Sequence, residues 1–384
     1  MIRVCYIVDA PFLGGAELYV ARLARSLDAR EFSASVLMRP GTRDARLAQW
    51  AEELRAGGIA VETVPMRLPY APLDAWRIFR ALERIAPHIV HVNMPGPYDG
   101  QFGLVLPIAR AAGARTVVTE HLPMVERLWK RALLKRVGYR SLDLAVTMTQ
   151  ANARLLVERQ GVPAERVRVV ANGIPRAFGS PEGAAQLRWE LGIRDSQTLV
   201  VYVGNILPHK GLRRLIEAIS KARSRPALRL VVAGTGADEA PCRQLAGDRG
   251  LSGQVTFLGW RSAAETEALL AASDVLALPS EIEGLPYVLL EAMASHRPVI
   301  AGRVYGVPEV VEDGVTGILV DPHSIDEIAA ALDSMSNVAL RASMGEAARA
   351  RFERNFTLEQ HAARMQSLYR SLLGSPPHTG RGVS

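Results

Sequence analysis

Glu283 and Glu291 are separated by seven residues in Pro279-Ser280-Glu281-Ile282-Glu283-Gly284-Leu285-Pro286, which runs on into Tyr287-Val288-Leu289-Leu290-Glu291. The first belongs in a loop at a helix start, and the second about one turn inside the helix. Such a pair can address two ends of one ligand. A carboxylate accepts hydrogen bonds from sugar hydroxyls, above all the vicinal hydroxyls of a ribose. The plainer reading is a glutamate offsetting the helix dipole and a second one on the surface, and for an isolated pair it is the stronger. Glu283 reads as an exposed loop carboxylate that acts on ligand rather than core, with Glu281 more exposed still. Lys210 lies in Val203-Gly204-Asn205-Ile206-Leu207-Pro208-His209-Lys210-Gly211. It would hold a diphosphate as a point charge, although most loop lysines are simply solvated. Gly14-Gly15-Ala16-Glu17 and Gly234-Thr235-Gly236 are further strand-end turns. Their glycines let backbone approach a ligand, and helix-start N–H groups favour anions. His121, in Thr119-Glu120-His121-Leu122-Pro123, can hydrogen-bond a sugar, but single histidines are mostly structural.

Several chemistries lack their residues. None of the glycine turns matches the dinucleotide fingerprint or a phosphate-binding P-loop. No Asp-x-Asp and no His/Cys/Asp cluster at ligand spacing occurs, so a divalent metal on a diphosphate has no support. No Gly-x-Ser-x-Gly elbow is present for a serine hydrolase.

The elements that must position these residues alternate along nearly the whole chain. Short β-branched runs recur at Val4–Val8, Ala34–Leu37, Ile89–Val92, Thr116–Thr119, Leu144–Thr147 and Val167–Val170. The rhythm restarts with Leu199–Val203, Leu228–Ala233, Val255–Leu258, Val275–Leu278, Val299–Ala301 and Gly317–Val320. Helical patterns between them imply parallel sheets wrapped by helices, so two doubly wound Rossmann-like domains facing a cleft are expected. Ligands of such sheets bind at the carboxyl ends of the strands. Asn-Gly, Pro and Ser-Pro within Asn172–Pro181 mark a linker. The expected division is 1–175 and 176–355, with a last helix at about 356–375 packing back onto the first domain.

A chain of 384 residues with 48% apolar and 22% charged residues has ample material for two cores. Two distant cysteines, Cys5 and Cys242, form no disulfide framework, so a cytoplasmic location is expected. The first residues run directly into a strand pattern, so a cleaved signal is not expected, and no run approaches ~20 apolar residues. Residues 1–180 carry 25 Lys+Arg against 16 Asp+Glu, whereas the remainder carries 21 against 23. The basic surplus of the first half suits an anionic partner, or else merely solvates its helices. Val125–Arg140 has helical periodicity, with Val125, Leu128, Trp129, Ala132 and Leu133 on one face and Arg127, Lys130, Arg131 and Lys135 opposite. Such a helix either packs its apolar face on the sheet or lies on an anionic membrane.

Together these motifs resemble the family 4 retaining glycosyltransferases of the GT-B fold. The resemblance rests on order and spacing: Gly204…Lys210-Gly211, Gly234-Thr235-Gly236, Val255-Thr256-Phe257-Leu258-Gly259, Glu283…Glu291, Gly306-Val307-Pro308-Glu309 and Asp313-Gly314-Val315-Thr316-Gly317. Gly14-Gly15-Ala16-Glu17, His121 and Asn172-Gly173-Ile174 extend it into the first half. It implies a nucleotide-sugar donor, UDP- or GDP-linked, with no metal and no other cofactor. Glu291 would bind the ribose and Glu283 the transferred sugar, with the adjoining Gly284 and Leu285 also binding the donor. Lys210, with Gly204, Asn205, Gly234 and Gly236, would hold the diphosphate. His121 would meet the donor sugar near its reacting carbon, and Gly15 would line the site.

The implied acceptor is a glycan or lipid-linked molecule of surface polysaccharide or lipopolysaccharide synthesis, with peripheral membrane contact through 125–140 and no nucleic acid. Two departures stand out. Asn205 replaces the arginine the family usually carries after the turn glycine, leaving Arg213, Arg214 and Arg303 as candidates to compensate. Tyr305-Gly306 replaces a frequent Gly-Gly. The competing expectations are a nucleotide-sugar epimerase of the same fold and a binding protein with weakened catalysis.

Overall fold

The computed structural model describes residues 1–9, 13–39, 45–64, 72–94, 105–123, 129–176 and 181–374. The chain divides into two compact units, Met1–Gly173 together with the chain from Leu358 on, and Ile174–Thr357.

Unit 1 carries seven parallel strands, β1 (Ile2–Val8), β2 (Phe32–Met38), β3 (Ala60–Thr63), β4 (Ile89–Met94), β5 (Arg115–Glu120), β6 (Leu144–Thr147) and β7 (Val167–Val169). Their order in the sheet is β3-β2-β1-β4-β5-β6-β7. The direction of winding reverses between β1 and β4, where Val4 pairs with Ile89. β1, β4, β5 and β6 are buried almost throughout, as strands covered on both faces must be. Ile7, Leu37, Val90, Val92 and Leu106 are among the fully buried core residues. The last helix, Leu358–Gly374, belongs to this unit: Tyr369 is fully buried, its hydroxyl 3.3 Å from that of Tyr6.

Unit 2 repeats the plan with β8 (Thr198–Val203), β9 (Leu228–Ala233), β10 (Val255–Gly259), β11 (Val275–Leu278), β12 (Val299–Gly302) and β13 (Gly317–Val320). Its order is β10-β9-β8-β11-β12-β13, with the reversal between β8 and β11. Both units are therefore doubly wound α/β sheets, each with a switch point where its strand order turns. The sequence reading lacked β3. Among the described residues that strand pairs only with β2 at the sheet edge, and its Ala-Val-Glu-Thr has no buried residue to announce it.

Candidate active site

In unit 2 the site grows from the carboxyl ends of β8 and β11, at the switch point. The chain leaves β8 through Gly204 and meets the turn after β9 backbone to backbone. Gly204 N–H donates to Ala233 O at 3.0 Å and Ile206 N–H to Thr235 O at 2.9 Å. A Cβ on Gly234, whose φ is 148°, would stand 1.9 Å from Gly204 O, and one on Gly236 2.1 Å from Ile206 O. The Gly234-Thr235-Gly236 turn thus buttresses the 204–206 turn, and only glycine permits that approach. Asn205 is exposed at its tip, and its carbonyl accepts the Tyr202 hydroxyl at 3.0 Å.

Next along the chain, Gly211 adopts φ 80° with Pro279 O where a Cβ would be. This ties the Pro208–Lys210 turn to the end of β11, and Glu281 N–H donates to His209 O at 2.8 Å. The consequence is that Lys210 Nζ reaches both oxygens of Glu283, at 2.8 and 2.9 Å. Glu283 is buried, with 7% of its side chain exposed against 23% for Lys210. This corrects the expectation of an exposed loop carboxylate. A buried anion must be matched, and Lys210 matches it. Leu285 is buried, and Gly284 is half-buried. Glu291, half-buried, stands one turn inside the helix Tyr287–Ala294, so the seven-residue spacing spans a loop and a helical turn.

The three arginines that could stand in at position 205 are committed elsewhere. Arg213 Nε donates to Asp238 at 2.8 Å, Arg214 pairs with Glu281 at 2.5 Å, and Arg303 with Asp313 at 3.0 Å.

Gly15 and His121 belong to unit 1, again at strand carboxyl ends around the switch point. Gly15 opens the helix Gly15–Ser26, whose start is fastened by the Glu17 carboxylate accepting Gly14 N–H at 2.8 Å. His121 follows β5, its backbone N–H bonded to Met94 O at 3.1 Å. Its ring lies edge-on to Tyr19, with centroids 4.9 Å apart. Its Nε2 is 2.8 Å from Asn93 Oδ1, and Asn93 Nδ2 donates to Ala16 O at 3.0 Å. Asn93 therefore joins the histidine to the helix that begins at Gly15.

Beneath them, His91 sits between Tyr369 OH at 2.7 Å and Thr119 Oγ1 at 2.6 Å, and His361 bonds Ala171 O at 2.8 Å. Burial pushes the pKa of His91 and of His121 down to about 3 and that of His361 down to about 4, so all three rings are neutral at pH 7. Sequence reasoning missed Asn93 and His91. The signal was there: two polar residues at period two in Ile89-Val90-His91-Val92-Asn93-Met94, a strand buried at every position.

The segment expected to be amphipathic is a helix over Trp129–Tyr139, with 124–128 and the side chains of 129–131 outside the described residues. Its faces differ from those read in the sequence. Lys135 is buried, 3.0 Å from the Glu120 carboxylate, which also accepts Gln160 Nε2 at 3.2 Å and the Tyr139 hydroxyl. Leu133 is 53% exposed and Val137 40%. A buried acid next to His121 draws the lysine inward and turns the apolar residues out.

The profile "Glycosyl transferases group 1" matches residues 184–351, and "Glycosyltransferase Family 4" matches 13–178. The D-inositol 3-phosphate glycosyltransferase of Mycobacterium marinum is 28% identical over 94% of this chain and 82% of its own. The alpha-D-kanosaminyltransferase of Streptomyces kanamyceticus is 32% identical over 59% of this chain and 60% of its own. Among solved structures, HepE of Anabaena in complex with UDP-glucose superposes with a TM-score of 0.84 over 97% of this chain and 100% of that one, at 22% identity. Two family profiles in sequence order, one on each unit, and two GT-B-type sheets with the family's motifs at their switch points make this chain a member of the family 4 glycosyltransferases.

Proposed function

We propose that this glycosyltransferase takes a sugar from a UDP- or GDP-linked donor and transfers it, with retention of anomeric configuration and without a metal, to an anionic acceptor. The observation that carries the reading is the Lys210–Glu283 pair, held at the carboxyl edge of β8 and β11 by Gly211. A cation there suits a departing diphosphate, and the carboxylate beside it suits the transferred sugar. Glu291 takes the ribose. The Gly204 turn brings backbone to the phosphates, braced by Gly234 and Gly236. In the reaction the bond from the anomeric carbon to the phosphate oxygen breaks. The bond to the acceptor oxygen forms on the same face, and the leaving phosphate takes the acceptor's proton.

The metal-free reading rests on the absence of Asp-x-Asp from the sequence and on Lys210 as the cation. The anionic acceptor rests on the basic surplus of residues 1–180 and on the relative named for an inositol phosphate. A lipid-linked glycan carrying phosphate satisfies the same chemistry. With Leu133 and Val137 outward and Arg136 and Arg140 exposed near them, the helix Trp129–Tyr139 supports peripheral contact with an anionic membrane. No helix among the described residues is long and apolar enough to cross one.

The deciding experiment is calorimetric titration with UDP, GDP and ADP in excess EDTA. Micromolar binding of UDP or GDP supports the reading and names the donor series. Binding of none, or binding restored only by a divalent cation, rejects it.

A further inference from the structure

Asn93 is 1% exposed, and a side-chain amide so placed must satisfy its polar atoms locally. One of them faces Ala16 O at 3.0 Å. A carbonyl oxygen only accepts, so the atom facing it is the NH2 group. The amide oxygen is thereby turned to His121 Nε2, 2.8 Å away. An amide oxygen also only accepts, so Nε2 must carry a hydrogen. In a neutral imidazole the other nitrogen is then bare. Among the described residues nothing donates to Nδ1, and the ring's neighbours (Tyr19 edge-on, with His91 and His361 beyond) supply no charge at neutral pH to alter this state.

We propose that Asn93 is a positioning residue for transfer: it fixes His121 as the tautomer protonated on Nε2, so that the bare Nδ1 meets the donor sugar and selects sugars presenting a hydroxyl hydrogen to it. The sugar half of this inference rests on the proposed function and on the family resemblance, which would set His121 against the transferred sugar. A donor with a carboxylate at that position offers no hydrogen and sets an anion against the Nδ1 lone pair, so neutral hexoses are preferred to uronic acids there. A site built to bond a hydroxyl rejects the analogue that lacks it. The same asparagine anchors the helix carrying Gly15, so tautomer and turn are set by one side chain.

The test uses the full-length protein labelled with nitrogen-15 histidine, with His121→Gln to assign the signal. Wild type should show a protonated Nε2 and a bare Nδ1 throughout pH 6–8. The reverse tautomer, or a mixture, overturns the proposal with no ligand involved. In kinetics with UDP-glucose or GDP-mannose, wild type should lose at least roughly tenfold in kcat/KM with one monodeoxy analogue of the accepted donor. Asn93→Ala should free the tautomer, lower kcat/KM with the intact donor about ten- to a hundredfold, and discard most of that discrimination. Should Asn93→Ala not fold, the wild-type tautomer and deoxy series still decide. Equal rates with every monodeoxy donor overturn the selection of a hydroxyl while transfer itself stands. No turnover of any nucleotide sugar defeats the proposed function and the sugar half with it, leaving the tautomer to be judged by its own signal.

Discussion

Glu283 and Lys210 hold each other before any ligand arrives, and that pairing sets what each substitution should do. Glu283→Gln keeps an oxygen that can accept from Lys210, so the fold should survive with a loss of about 1 kcal/mol. Transfer should fall at least about a hundredfold, since a neutral amide no longer answers the charge that develops on the sugar. Lys210→Ala leaves a buried carboxylate without its cation, which costs on the order of 1–3 kcal/mol besides the loss of diphosphate binding. Steady-state rates and thermal melts of both variants check this, and wild-type turnover in Glu283→Gln would remove Glu283 from the site. The identities of both residues were legible in the sequence, through the Glu-x7-Glu spacing and the lysine after a strand-end glycine. Their contact was not, because 73 residues separate them, and it takes the Gly211 turn against Pro279 and the Glu281–His209 backbone bond to bring them together. Asn205 was likewise visible as a departure. That Arg213, Arg214 and Arg303 are each tied to a carboxylate needed coordinates.

At the scale of elements, the two stacked turns of unit 2 behave as one part. Gly234→Ala would drive a methyl group into Gly204 O, and overpacking of this kind costs roughly 1–3 kcal/mol. Because the atom displaced belongs to the turn proposed to bind the phosphates, UDP or GDP affinity should fall together with the melting temperature. A variant that melts lower but binds as before would separate the turns. Periodicity found the strands that are buried on both faces, such as β9 and β11, whose apolar runs admit few other readings. It failed where the surroundings overrule the pattern. In the helix Trp129–Tyr139, Lys135 answers the buried Glu120, and Leu133 and Val137 turn outward, a reversal no helical wheel contains. If that outward face meets lipid, the double substitution Leu133→Asp and Val137→Asp should abolish sedimentation with anionic vesicles while leaving nucleotide binding unchanged. Equal sedimentation of variant and wild type would dismiss the contact.

For the molecule as a whole, the two units differ in how they should answer acid. Unit 1 holds the buried His91 and His361 and the half-buried His121 as neutral rings, with pKa values near 3, 4 and 3, whereas in an unfolded chain each titrates near 6.5. Folded values below unfolded ones mean that the unfolded state binds protons first. Stability contributed by these groups is therefore complete above pH 6.5 and is lost as the pH falls toward 4. Each contributes a slope on the order of 1.4 kcal/mol per pH unit within that window. In unit 2 the one histidine whose pKa is lowered, His209, lies half-buried in the Pro208–Lys210 turn, so its share is smaller. Acidification from pH 7 to 5 should accordingly destabilise unit 1 well before unit 2. Hydrogen exchange followed peptide by peptide should show protection lost first in β1, β4 and β5 and in the helix Leu358–Gly374, where Tyr369 bonds His91. A second series with His361→Gln should flatten the slope by about one histidine's share. Protection factors in unit 1 that stay constant from pH 7 to 5, once the slower intrinsic exchange at low pH is divided out, would mean that these rings titrate in contact with water, and the tautomer argument for His121 would lose its neutral imidazole.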